Sequence, residues 1–122
     1  MNPKTILIVE DDQDIRESLR DAFEDEGYTV RCAANGKEGL EALQRFERPC
    51  VVILDLLLPV MTGNEVYKAM LADPNLAEIP VIVSTSDPSR APSGVLLLKK
   101  PLNLQTILST INRLCSATPK SE

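Results

Sequence analysis

The chain has 122 residues, enough for one domain with one core; 43% of them are apolar and only 3% aromatic, so that core must be aliphatic. A net charge of −5 with no histidine argues against a nucleic-acid surface and excludes histidine triads and His-ligated zinc. No apolar run approaches the ~20 residues of a membrane span, and the first residues lack the apolar core of a signal peptide, so a cytoplasmic location is expected. Cys32, Cys50 and Cys115 are odd in number, far apart and set in apolar segments, which reads as three reduced thiols.

Lys4 to Val9 is an apolar, β-branched strand that stops at Glu10-Asp11-Asp12. Ile15, Leu19, Ala22 and Phe23 recur at helical spacing, and Gly27 suits the end of that helix. Tyr28 to Ala33 is a second strand, and Asn35-Gly36 reads as a turn. Leu40, Leu43 and Phe46 mark a second helix, which Gly39 should weaken.

Val51 to Asp55 then forms a strand buried on both faces, closed by Leu56-Leu57-Leu58-Pro59. Val66 and Met70 mark a third helix, broken at Asp73-Pro74. Val81 to Thr85 is a fourth strand and Val95 to Lys99 a fifth, followed by Lys100-Pro101. Leu104, Ile107, Leu108, Ile111, Leu114 and Cys115 stripe a last helix, with Asn103 as its N-cap. Residues 1–117 read as one domain and 118–122 as a polar tail, with no repeat and no second domain.

Strands alternating with helices imply an α/β fold with a doubly wound parallel sheet. In the order 2-1-3-4-5, Glu10 and Asp11 end one strand and Asp55 ends its neighbour, at the carboxyl edge where such sheets hold ligands. Converging carboxylates need a cation, and an all-oxygen site suits Mg²⁺. Thr85 adds a hydroxyl and Lys100 an ammonium on the same side. Together these groups suit phosphoryl transfer with Asp55 as nucleophile.

Five motifs carry a resemblance: Ile-Leu-Ile-Val-Glu-Asp-Asp at 6 to 12, Val-Ile-Leu-Asp-Leu-Leu-Leu-Pro at 52 to 59, Met-Thr-Gly at 61 to 63, Pro-Val-Ile-Val-Ser-Thr at 80 to 85 and Lys-Lys-Pro at 99 to 101. In this order the chain resembles the flavodoxin-like receiver domain of two-component response regulators, from about Thr5 to about Leu114. The resemblance implies that Asp55 accepts a phosphoryl group from a histidine kinase or phosphotransfer protein and that a downstream protein reads the result. It implies Asp11 as a Mg²⁺ ligand, with Glu10, Asp55 and the Leu57 backbone carbonyl completing the set. Thr85 would be the switch hydroxyl and Lys100 the phosphoryl-pairing lysine, before a cis bond to Pro101. Self-phosphorylation and self-dephosphorylation at Asp55 would be the only catalysis, in a monomer or weak dimer without nucleic-acid or membrane partners.

Rival readings fit less well. An aspartate-nucleophile phosphatase looks for a second Asp where Leu57 stands, and a nucleotide- or flavin-binding module needs a glycine-rich loop where Glu10-Asp11-Asp12 would repel phosphate. A pseudo-receiver that only binds a partner is the alternative. The chain departs from the family between Thr85 and Lys100. Only nine residues, Ser86 to Gly94, stand where a helix is usual, so the fourth helix should be absent or reduced to about one turn. Leu97 occupies the family's aromatic switch position. Any switching is therefore expected at Ser86 and Asp87, directly after Thr85.

Overall fold

A computed structural model of the chain describes residues 4–116. The expected polar tail, 118–122, lies outside the described residues. The elements follow the order β1 (Thr5–Val9), α1 (Gln13–Asp25), β2 (Thr29–Ala33), α2 (Gly36–Arg45), β3 (Val51–Asp55), α3 (Gly63–Ala72), β4 (Val81–Thr85), β5 (Leu96–Lys99) and α4 (Leu104–Ser116). The five strands are parallel in the order β2-β1-β3-β4-β5. This is the doubly wound, flavodoxin-like receiver arrangement with four helices.

Side chains alternate across β1 and β3, so each strand feeds both cores. Ile6, Ile8, Val51 and Ile53 pack with Leu19 and Phe23 of α1 and with Ile107 and Ile111 of α4. Leu7, Val9, Val52 and Leu54 pack with Leu43 of α2 and with Val66 and Met70 of α3. No described helix is long and apolar enough to cross a membrane.

Two glycines read differently in the fold. Asn35-Gly36 is a helix start rather than a free turn, because the Asn35 side chain accepts from the Glu38 N–H at 2.9 Å and caps α2. A Cβ on Gly36 would lie 2.0 Å from the Met61 carbonyl oxygen, and one on Gly39 would meet the Val9 side chain at 2.8 Å. Both positions let α2 sit close to its neighbours.

The segment between β4 and β5 is as short as expected. It holds one 3₁₀ turn, Pro88–Arg90, with Asp87 as its cap. The Asp87 carboxylate accepts from the Ser89 hydroxyl at 2.6 Å and from the Arg90 Nε at 3.1 Å. The Asn64 side-chain amide, in the first turn of α3, donates to the Arg90 carbonyl at 3.2 Å. These contacts replace a crossover helix with a short, laced loop.

The cysteines correct the reading from sequence. Cys50 and Cys115 are joined in a disulfide, with Cα atoms 5.4 Å apart, and Cys32 is free. They are 65 positions apart, and only the packing of α4 across the start of β3 brings them within bonding reach.

Candidate functional site

The carboxyl edge of the sheet gathers the charged groups. β1 and β3 are neighbours with Val9 opposite Leu54, so Glu10 and Asp55 leave their strands side by side. Glu10 is 2% exposed and Asp55 5%. Asp11 is exposed beside them, and one carboxylate oxygen from each of Glu10, Asp11 and Asp55 lies within 4.8 Å of the others. Asp12 stands apart from this group and caps α1, accepting from the Ile15 N–H at 3.1 Å.

Lys100 reaches the same point from the end of β5. Its Nζ donates to Glu10 Oε1 at 2.8 Å and lies 3.3 Å from Asp55 Oδ2. Its backbone N–H donates to the Thr85 carbonyl at 2.8 Å, and its bond to Pro101 is cis. Burial pushes the Glu10 carboxyl up and outweighs the hydrogen bonds from Lys100 and the Asp12 N–H; the Asp55 charge pushes the same way. Burial alone would pull the Lys100 ammonium down, but the Glu10 hydrogen bond and the two carboxylate charges reverse it and hold the ammonium up.

Backbone geometry holds Asp55 in place. Its Oδ1 accepts the Leu57 N–H at 3.2 Å, while the Leu57 side chain points out, half exposed. The Gly63 N–H donates to the Leu56 carbonyl at 3.0 Å, and a Cβ on Gly63 would fall 2.2 Å from the Asp55 carbonyl oxygen. The Met-Thr-Gly motif thus has a physical reason: Thr62 caps α3, and Gly63 lets that helix start against the site. Val60, in the same loop, has φ of 70°, a conformation that a β-branched residue rarely adopts.

The remaining expected residues sit nearby but not in the acidic group. Thr85 is fully buried; its Oγ1 accepts the Asp87 N–H at 3.1 Å and donates to the Asp87 carbonyl at 3.4 Å. Ser86 is exposed and follows directly. Leu97 lies within β5 opposite Val83, half-buried. Three neighbours escaped the sequence reading. Arg16 donates from Nη1 to the Glu10 carbonyl at 2.8 Å, a contact set by one turn of α1. Asn64 holds the loop after β4. Ser84 stands opposite Asp55 in the sheet, and its hydroxyl is buried without a partner among the described residues. Only the helical spacing of Arg16 from Asp12 could have hinted at its role.

Chemically, three carboxylates offer a hard oxygen donor set that fits Mg²⁺, with an ammonium beside it that can neutralise an incoming anion. A model of the response regulator receiver domain family matches residues 6–112. The polar-differentiation response regulator DivK of Brucella anthropi is 34% identical over 116 residues, covering 89% of this chain and 94% of that one. Response regulator MprA of Mycolicibacterium vanbaalenii is 31% identical, and the chain spans 52% of its length. Among solved structures, the receiver domain of a signal transduction histidine kinase from Syntrophus aciditrophicus superposes with a TM-score of 0.85 at 31% identity, covering 98% of this chain and 95% of that one. Chemotaxis response regulator CheY4 of Vibrio cholerae gives 0.82 at 32% identity, covering 93% of this chain and 99% of that one. The acidic group at the strand ends, the five-stranded order and a family match over nearly the whole chain agree: this chain belongs to the response regulator receiver domains of two-component signalling.

Proposed function

We propose that residues 1–117 form a receiver that takes a phosphoryl group onto Asp55 and changes its protein-binding surface in response. The observation that carries this reading is the placement of Asp55, 5% exposed at the end of β3 with Lys100 Nζ 3.3 Å away. The donor is a phosphohistidine on a histidine kinase or phosphotransfer protein. Asp55 Oδ attacks phosphorus, the P–N bond breaks, and the imidazole leaves with the electron pair and gains a proton. Lys100, whose Nζ lies 3.3 Å from Asp55 Oδ2, then pairs with the phosphoryl oxygens.

Asp11 and Asp55, with Glu10 and the Leu57 carbonyl, would hold Mg²⁺, which when bound supplies neutralising charge for the phosphoryl group. Self-dephosphorylation is a separate step in which water attacks phosphorus, the bond to the Asp55 oxygen breaks, and inorganic phosphate leaves with the carboxylate restored. Leu57 offers no polar side chain to orient that water. A cavity of about 350 Å³ opens beside Lys100 between α1 and the start of α4. Ile15, Leu19, Leu102 and Leu104 line it, and it offers the donor an apolar seat next to Lys100. The location we assign is the cytoplasm.

The output side follows from Thr85. Turning its hydroxyl toward a phosphoryl group breaks its bond to the Asp87 carbonyl, and the loop 86–94 starts at that point. Half-buried Leu97 has no polar tip with which to exchange partners, so the response is confined to Ser86, Asp87 and the residues after them. A downstream protein reads that loop with the edge of β5.

Intact-mass analysis after incubation with acetyl phosphate and Mg²⁺ tests the reading. One phosphoryl group per chain is expected, with none on Asp55→Asn. A folded chain that gains no mass, or an Asp55→Asn variant that gains it equally, overturns the assignment and leaves a partner-binding module without phosphorylation.

A further inference from the structure

The amino end of the sheet carries chemistry that the acidic site does not use. Cys50 directly precedes β3, and Cys115 lies in the last turn of α4 on its buried stripe, 1% exposed. Their bond spans 65 positions of sequence. Two polar contacts sit around it: the Lys4 ammonium donates to the Cys115 carbonyl, and the Tyr28 hydroxyl donates to Asn112 Oδ1 at 2.5 Å. Both are exposed or partly so and hold weakly beside a covalent link. The carboxyl end of α4 is thus held to the sheet by a covalent bond in addition to the apolar packing of Cys115 and Leu114. Further up the helix, Ile107 and Ile111 are fully buried in the core.

Access to the two sulfurs is unequal. Cys50 is half-buried while Cys115 is enclosed, so an incoming thiolate meets Cys50 first. Burial pushes the Cys32 thiol up, which makes it a poor competitor in exchange. In a compartment rich in thiols, such as the location proposed above, a disulfide is not held permanently. A bond in that setting responds to the redox state instead of merely stiffening the fold.

We propose that Cys50 and Cys115 are a reversible redox pair that sets how firmly the last turn of α4 is docked on the sheet. The reductant is a dithiol. One of its thiolates attacks Cys50 Sγ, the Cys50–Cys115 bond breaks, and Cys115 leaves as a thiolate that takes up a proton. The second thiol then displaces Cys50 from the mixed disulfide. Two electrons have passed to the cysteine pair and the reductant ends as a disulfide. Oxidation runs the same steps in reverse with a disulfide oxidant.

The test uses the full chain with Cys32→Ser, equilibrated in glutathione buffers of stepped reduced-to-oxidised ratio. Thiols are alkylated and counted by intact mass, and amide exchange is followed in the same samples. The two thiols should appear together in one reversible step without a glutathione adduct. In the reduced state residues 112–116 should exchange on the order of tenfold faster while the strands keep their protection. The melting midpoint should fall by about 10 °C, the scale set by opening so long a loop. A Cys50→Ser variant in the same background should behave as the reduced form at every ratio. Two free thiols throughout, adducts in place of the pair, or equal exchange of 112–116 in both states would overturn the proposal.

Discussion

Replacing Lys100 by methionine should destabilise the chain by about 3 kcal/mol near neutral pH, mostly through the two carboxylates it leaves behind. Methionine keeps most of the apolar stem and removes only the ammonium. In the parent, Lys100 Nζ lies 2.8 Å from Glu10 Oε1 and 3.3 Å from Asp55 Oδ2, and the carboxylate side chains are only 3% and 7% exposed. Without it, two buried negative charges face one another within 4.8 Å. At an effective dielectric of about 20, that repulsion is about 3.5 kcal/mol. Protonating Glu10 offers an escape, but keeping a proton near pH 7 on a carboxyl whose ordinary value is 4.5 costs about 3.4 kcal/mol. The two routes agree in scale. Burial already holds the Glu10 carboxyl above its unfolded value, so the native state binds that proton first. Such a group's stabilisation is present at acid pH and is lost as pH rises through the folded value. Removing Lys100 enlarges that loss, so the gap between variant and parent should be small below pH 4.5 and grow toward neutrality. Urea unfolding across this range measures it. Added MgCl₂ should recover part of the loss, and Glu10→Gln in the same chain most of it. A neutral-pH loss under about 0.5 kcal/mol, or one independent of pH, would refute the reasoning.

Asp11→Ala should remove Mg²⁺ binding by calorimetric titration, while the apo chain becomes slightly more stable because one of three converging charges is gone. Val60→Asn should stabilise by about 1 kcal/mol in urea unfolding, since asparagine tolerates the positive φ that valine resists. Gly63→Ala should destabilise by about 3 kcal/mol, because the new Cβ meets backbone that cannot yield without moving Asp55. Leu57→Asn should shorten the phosphoryl half-life measured by mass, by giving the attacking water a polar partner.

The strands and the site were legible for the same reason. Apolar runs that end at Glu10, Asp55, Thr85 and Lys100 leave those residues at one edge once the sheet is parallel, and Pro59 and Pro101 mark where the runs stop. The shortened segment after β4 was legible from its length and prolines. Asn35-Gly36 misled because asparagine before glycine signals a turn and a helix cap alike, and only the Met61 carbonyl, 2.0 Å from where a Cβ on Gly36 would lie, shows why glycine stands there. The Cys50–Cys115 bond was hidden because it depends on where α4 crosses β3, which no local pattern encodes. Gly63 was visible as a motif, but its cause, the Asp55 carbonyl beneath it, belongs to the packed structure.

The two chemistries of the chain sit at opposite ends of one helix. α4 begins four residues after Lys100 and ends at the cysteine pair, a run of 13 residues. Its length is about 20 Å. Ile107 and Ile111, both fully buried, stand between the two ends. Loosening the last turn therefore has to move a packed middle before it reaches Lys100, and packed cores resist small continuous shifts. The Lys100 contacts to Glu10 and Asp55 should survive reduction of Cys50–Cys115. Acetyl phosphate labelling of Asp55 is then expected at the same rate in the oxidised and reduced chain, even though 112–116 exchange differently. A labelling rate that follows the glutathione ratio would show that α4 moves as one rigid body, with the redox pair reaching the acceptor through Lys100. Equal rates would mean that the two ends of α4 act independently, with the redox pair loosening the last turn and leaving the Lys100 contacts as they are.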